Sequence, residues 1–265
     1  MNKAILLIPH YNNPEGLIAS VGSIDRSEQI DVLVVDDGSV KNKLTEQDVI
    51  SAFTGNGEVY FIYLEENSGI EHALNRGLQY VIEVKKYKYI ARLDSGDYCL
   101  GKRFAIQQEF LEINPDIKMV GSNVIAADTN GNFLYNIIMP EKTREIRNKM
   151  FLNAMFIHPT VMFCTDILPQ TGLYPVNRKS AEDYAFFFII SNKFKTANIQ
   201  QFLVKIEINP SGISISRRKQ QVGSRIKVIQ DNFYFGFYPL YGLARNILLY
   251  IMPNSIIQFL KRKKG

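Results

Sequence analysis

Tyr89-Ile90-Ala91-Arg92-Leu93-Asp94-Ser95-Gly96-Asp97 is the stretch on which the fold turns: a short apolar run ends abruptly in two carboxylates that flank Ser-Gly. The run predicts a strand buried on both faces, and the glycine predicts a loose turn at its carboxyl end. Carboxylates placed there suit a divalent cation, because hard cations take oxygen ligands and keep open positions for substrate. By itself an Asp-x-x-Asp tetrad is ordinarily a turn whose side chains satisfy nearby backbone N–H groups. The neighbouring sequence weighs between the two.

Upstream, Ala4 to Ile8, Val32 to Val35 and Val59 to Leu64 repeat the pattern. They close in Pro9-His10-Tyr11-Asn12-Asn13-Pro14, in Asp36-Asp37-Gly38-Ser39 and in Glu65-Glu66-Asn67-Ser68-Gly69. Between them lies helix-compatible sequence, clearest from Ile70 to Lys86, where Ile70, Ala73, Leu74, Leu78, Val81 and Ile82 recur at helical spacing. Strands alternating with helices predict an α/β fold with a mainly parallel central sheet flanked by helices, and such a sheet binds ligands at its strands' carboxyl ends. All four polar clusters then fall on one edge. No Gly-x-Gly-x-x-Gly follows the first strand and no Gly-Lys-Ser/Thr occurs, so a nucleotide would not be held by either glycine-rich loop.

Downstream, Arg103 to Asn114 reads as a helix stopped by Pro115, and Met119 to Ala127 with Phe133 to Met139 as a hairpin turning at Asn130-Gly131. A helix is expected over about 142–152, then a strand from Ile157 to Phe163 that begins with a lone His158-Pro159. Ser180-Ala181-Glu182-Asp183 reads as a cap and two acids opening a buried helix over Tyr184 to Ile190, an arrangement that helix-dipole chemistry alone would explain. Val204 to Ile208 is the last expected strand.

The chain has 265 residues, 46% hydrophobic and 22% charged, the balance of an ordinary globular protein. Its charge is uneven. From Arg217 onward ten Lys/Arg face the single Asp231, a balance of +9 against +5 for the whole, which leaves −4 for residues 1–216. We therefore expect a main domain over 1–215 and a basic C-terminal helical extension over 216–265. Aromatic and apolar runs (Phe233 to Tyr241, Leu243 to Met252, Ile256 to Leu260) accompany the cations, which favours an anionic membrane surface over nucleic acid. Pro239, Gly242, Arg245 and Pro253 interrupt these runs, and a spanning helix needs about 20 mainly apolar residues, so the expectation is an interfacial helix. The competing reading is a helix packed on the main domain or on a second subunit. Cys99 and Cys164 supply neither a disulfide framework nor metal-ligand spacing. The N-terminal apolar run is shorter than the roughly 7–15 residues of a signal-peptide core and reads as the first strand of a cytoplasmic protein.

Over residues 3 to about 215 the order of motifs resembles the inverting glycosyltransferases of family 2, of the nucleotide-sugar-binding GT-A fold. The resemblance rests on Ile8-Pro9-His10-Tyr11-Asn12, Val34-Val35-Asp36-Asp37-Gly38-Ser39, Asn67-x-Gly69 with Ala73-x-Asn75-x-Gly77, Ala91 to Asp97, His158 to Phe163, and Ala181-Glu182-Asp183-Tyr184. It implies transfer of a sugar from a nucleotide-sugar donor, UDP first, to a saccharide or lipid-linked acceptor in surface-polysaccharide synthesis, at the inner face of the cell membrane. Pro9, Tyr11, Asn12 and Asp36 or Asp37 would line the nucleoside pocket, with Asn67 and Gly69 beside it. Asp94 and Asp97 would meet the diphosphate with Mg2+ or Mn2+. Many relatives carry Asp-x-Asp-Asp, and Gly96 stands here where the middle aspartate would. Asp183 would be the general base and Glu182 an orienting or acceptor contact. Arg92 would orient Asp94 or meet a phosphate. His158, ordinarily a packed residue, would lie near the acceptor or diphosphate. A non-catalytic nucleotide- or saccharide-binding module and a nucleotidyltransferase are the alternatives.

Overall fold

The computed structural model describes residues 2–84, 87–208 and 218–252. The expected domain boundary at 215–216, Arg217, the Pro253 break, the Ile256 to Leu260 run and the cations at 261–264 lie outside the described residues. Strands β1 (Ala4–His10), β2 (Asp31–Asp36), β3 (Val59–Tyr63) and β4 (Tyr89–Arg92) run parallel in the order β3-β2-β1-β4. Beyond β4 the sheet is mixed. It continues through β5 (Tyr98–Cys99), β6 (Ile117–Ala127), β7 (Phe133–Ile137), β8 (Met162–Cys164) and β9 (Lys195–Glu207). β8 lies antiparallel between β4 and β6, β9 is parallel to β6, β5 pairs antiparallel with β9, and β7 forms the expected hairpin with β6.

β2 and β4 are buried at every position, and β1 at all but one, which is why their sequences are continuous rather than alternating apolar runs. Register aligns their ends: His10 pairs with Asp36, Asp36 with Tyr63, and Leu7 with Arg92, so Leu93 and Asp94 follow β4 at the level of Ile8 and Pro9. Helix α1 (Pro14–Gly22) follows β1, α2 (Glu46–Ala52) follows β2, and α3 (Ile70–Glu83) packs across β1 and β2 through Ala73, Leu74, Gly77 and Leu78. A Cβ at Gly77 would lie 2.4 Å from Leu7 Cδ1, so only glycine lets α3 come this close. Helices α4 (Arg103–Ile113), α5 (Thr143–Met150), α6 (Leu168–Thr171) and α7 (Glu182–Lys193) complete the main body. Tyr184, Ala185, Phe186, Phe187, Phe188 and Ile190 are all buried, so α7 is enclosed on every side.

Three local expectations are corrected. Over Ile157 to Phe163 the chain makes a 3-10 turn at His158–Thr160 before the short β8, because Pro159 has no N–H to give a ladder and Thr160 donates back to Ile157 O at 2.9 Å. Ser180 does not cap α7. Ala181 holds that position, Ser180 sits at φ +61°, and Asp183 Oδ1 accepts the Tyr184 N–H at 2.6 Å instead. β9 begins at Lys195 rather than Val204; its polar first half escapes a hydrophobicity reading because the side-chain N–H groups of Asn198 and Gln200 donate to the carbonyls of Pro140, Met155 and Met139.

Helices α8 (Arg218–Asp231) and α9 (Phe237–Ile251) pack on each other, with Arg218 donating to Leu249 O and Met252 O. They also dock on the main body. Pro239, Gly242 and Asn246 of α9 are buried, a Cβ at Gly242 would lie 2.2 Å from Phe151 O, and Arg245 donates to Leu152 O at 2.8 Å. The opposite face, Phe237, Leu240, Tyr241, Leu248 and Ile251, is exposed and apolar. Among the described residues no helix is long and apolar enough to cross a membrane.

Candidate active site

The carboxyl edge of the parallel strands is knitted together by short polar contacts. Asp36 Oδ1 accepts the Ser39 N–H at 2.7 Å, closing the turn after β2. Asp37 reaches across to the loop after β3, accepting from Ser68 N at 2.9 Å and Gly69 N at 3.0 Å. Burial pushes the Asp37 carboxyl up against the pull of those two N–H groups. Asn12, at φ +51°, donates its N–H to Ser39 Oγ at 2.8 Å and accepts from Lys41 N at 2.9 Å. Asp36 and Asn12 thus hold the loops from behind, while Asp37 faces inward.

Inside this edge is a cavity of about 680 Å³. Pro9, Tyr11, Asp37, Asn67 and Gly69 line it from the ends of β1 and β2 and the loop after β3, Asp94 and Ser95 from the end of β4, and Lys179, Ser180 and Glu182 from the loop before α7 and the start of that helix. Tyr11 is 46% exposed, so a ring face is free to stack on a planar ligand. His10 also lines the cavity, buried with neither ring nitrogen hydrogen-bonded; burial lowers its pKa while Asp36, 3.7 Å away, opposes the shift.

Beneath the cavity Arg92 is wholly buried. Its Nη2 donates to Asp94 Oδ1 at 2.7 Å, its Nη1 to the carbonyls of Leu7 and Leu93, and its Nε to His158 Nε2 at 3.2 Å. An arginine N–H only donates, so His158 Nε2 is the acceptor and the ring proton resides on Nδ1. Burial, with Arg92 adding to it, pushes the imidazole down to about 3, so it is neutral. Tyr174 stands 3.1 Å from the same nitrogen, and its own backbone is clasped by the Asn75 side chain at 2.8 and 2.9 Å. Arg92 and His158 therefore sit behind Asp94 rather than in the cavity wall.

Asp97 is buried next to Asp94 and accepts the Glu207 N–H at 3.0 Å. Desolvation first, and the Asp94 charge second, push it up to about 8. Two oxygen donors that repel each other fit a divalent cation, which would remove that repulsion; among the described residues no third His, Cys, Asp or Glu joins them in a cluster. At the start of α7, Glu182 lines the cavity with Oε2 buried and unpartnered, and burial with the neighbouring Asp183 pushes it up to about 7. Asp183 is partly buried beside it; desolvation and Asp94 raise its pKa while the Tyr184 N–H and Arg225 of α8 oppose.

The fold and this edge have known counterparts. The family model described as glycosyl transferase family 2 matches residues 5–172. The chain belongs to glycosyl transferase family 2. It is accordingly a glycosyltransferase. Among its relatives, the amylovoran biosynthesis glycosyltransferase AmsE of Erwinia amylovora is 27% identical over 98% of this chain and 99% of its own. The GT-A fold is shared with S. aureus TarS 1–349, solved with UDP-GlcNAc (TM-score 0.68, 17% identity, 92% of this chain and 71% of that one). It is shared too with the mannosyltransferase PcManGT of Pyrobaculum calidifontis, solved with GDP-Man and Mn2+ (TM-score 0.63, 13% identity, 99% and 79%).

Of the residues expected from sequence, Pro9, Tyr11, Asp37, Asn67, Gly69, Asp94 and Glu182 line the cavity. Asn12, Asp36, Arg92, Asp97, His158 and Asp183 stand behind or beside it. His10, Glu71, Lys179 and Ser180 line it without having been singled out. His10 lay inside a quoted motif, but nothing local marks Lys179.

Proposed function

We infer that this glycosyltransferase moves a sugar from a UDP-sugar to a saccharide carried on a lipid, with inversion, in the assembly of a surface polysaccharide. The observation that carries the reading is one cavity lined both by the stacking and hydrogen-bonding side chains of Tyr11, Asp37 and Asn67 and by the acids Asp94 and Glu182. Tyr11 would stack on the base, Asp37 would accept its ring N–H, and Pro9 and Gly69 would give close backbone approach, with Asn12 and Asp36 holding the loops. The amylovoran-biosynthesis relative supports polysaccharide synthesis, and fold neighbours solved with UDP-GlcNAc and with GDP-Man support a nucleotide-sugar donor.

Asp94 and Asp97 would hold Mg2+ or Mn2+, which supplies positive charge where the departing diphosphate gains negative charge. Arg92 and His158 would fix the Asp94 carboxylate. An acceptor hydroxyl attacks the anomeric carbon as the bond to the diphosphate breaks, and its proton passes to a carboxylate on the acceptor side. We assign that base to Asp183, with Glu182 orienting the acceptor. A second reading exchanges the two, favoured by the unpartnered Glu182 Oε2 in the cavity wall and its pKa of about 7. Peripheral binding to the inner face of the membrane is part of this reading, supported by the exposed apolar face of α9 and the basic character of the C-terminal sequence.

Thermal unfolding of the protein with UDP-, dTDP- and GDP-sugars, each with and without Mn2+, tests the donor. UDP-sugars with Mn2+ are expected to protect most, and UDP release on adding acceptor separates an enzyme from a binding module. Protection by GDP-sugars alone would refute the UDP assignment. Leu240→Glu with Leu248→Glu is expected to release the full chain from anionic vesicles.

A further inference from the structure

Lys179 lines two cavities, the donor cavity and a neighbouring one of about 500 Å³. The second lies between the loop before α7 and helices α8 and α9, with Lys219, Gly223 and Lys227 along one face of α8 and Tyr250 of α9 closing it. Three lysines and no carboxylate line it. None of the three is ion-paired among the described residues, and the only acid of α8, Asp231, is held by Arg178 at 2.5 Å. Scattered surface lysines normally diverge into solvent; here Gly223 leaves the space between two of them open, and a Cβ there would come within 3.4 Å of Tyr250 Cε2. Cations gathered around a concavity without acids call for a multivalent anion.

The surroundings say which anion. The helix that closes the cavity through Tyr250 carries the exposed apolar face of Phe237, Leu240, Tyr241, Leu248 and Ile251. At its other end Lys179 is shared with the donor cavity, whose lining goes on through Ser180 to Glu182. A ligand matching that sequence of surfaces has an apolar chain, then a phosphate or diphosphate, then a saccharide. We propose that Lys179, Lys219 and Lys227 form the subsite for the phosphate or diphosphate of a polyprenyl-linked saccharide acceptor. The proposal rests on the glycosyl-transfer reading and names the acceptor class for that same site.

Calorimetric titration of the full chain, saturated with UDP to block the donor cavity, tests it with three probes: farnesyl diphosphate, inorganic diphosphate and phosphatidylglycerol vesicles. Farnesyl diphosphate is expected to bind, and inorganic diphosphate to bind more weakly for want of a chain. Lys219→Glu and Lys227→Glu should each weaken farnesyl diphosphate by about ten-fold or more, Lys219→Arg should retain it, and UDP affinity should be unchanged in all of them. Farnesyl diphosphate that is excluded by UDP, or that ignores both charge reversals, overturns the proposal. So does binding to vesicles without binding to farnesyl diphosphate, which marks a headgroup contact. A chain that binds farnesyl diphosphate through these lysines but binds no nucleotide sinks the transfer reading and leaves the subsite supported.

Discussion

The buried guanidinium of Arg92 donates through Nη2 to Oδ1 of Asp94 at 2.7 Å, and so fixes the one strand-end carboxylate that both lines the cavity and adjoins Asp97. His158 completes the support by accepting from Arg92 Nε. Because burial and Arg92 hold its imidazole down at about 3, His158 is expected to remain neutral, with ring resonances flat from about pH 5 to 9 by NMR. His158→Leu strands a buried Arg92 N–H and should cost about 1–3 kcal/mol in urea unfolding, with weaker donor binding. His158→Gln keeps an acceptor and should recover part of both.

Asp183→Asn should lower kcat by about 10²- to 10⁴-fold while leaving UDP-sugar affinity intact, the loss expected when a general base is removed. Glu182→Gln should chiefly raise the acceptor KM. Steady-state kinetics on both variants decide the assignment, and the reverse pattern moves the base to Glu182.

Arg225 lies over the Tyr184 ring at 5.8 Å, and its charge lowers the pKa of Asp183. Removing it should raise that pKa, so the base stays protonated to higher pH. Arg225→Met is therefore expected to shift the acid limb of the kcat/KM profile upward in pH, with the plateau little changed.

Glu182 has a folded-state pKa of about 7 against an ordinary 4.5, because burial favours the neutral acid. A carboxyl raised on folding contributes its stability below the ordinary value and loses it as pH rises through about 7. Glu182→Gln should thus raise Tm relative to the parent at alkaline pH and leave it unchanged in acid.

Gly38 sits at φ +68°, and a Cβ there would meet the backbone of Glu66 at 2.4–2.6 Å. Gly38→Ala should cost at least about 1–2 kcal/mol of stability by calorimetry and push the Asn67 to Gly69 loop off Asp37, weakening donor binding.

Much of this was legible in sequence, because what makes a two-sided buried strand is local. The apolar runs of β1, β2 and β4 and the polar residues that close them sit next to one another in the chain, and parallel pairing then brings those closures to one edge. The first half of β9 was not legible: Asn198 and Gln200 look like loop residues until the carbonyls that accept their side-chain N–H groups are in place. The turn at His158 was hidden for a related reason, since the apolar residues after Pro159 pattern as a strand and only the bond from Thr160 to Ile157 makes the bend.

Sequence alone therefore determined the α/β alternation, the edge that carries the site and the residue types gathered there, because periodicity and turn chemistry act over a few residues. Tertiary structure decided which neighbour of each acidic pair faces the cavity: Asp37 rather than Asp36, Glu182 rather than Asp183, since adjacent side chains point different ways. It also decided that Arg92 and His158 stand behind Asp94, and that Lys179 shares a cavity with Lys219 and Lys227. Such meetings depend on helices docked far along the chain, where burial rather than spacing sets what touches what.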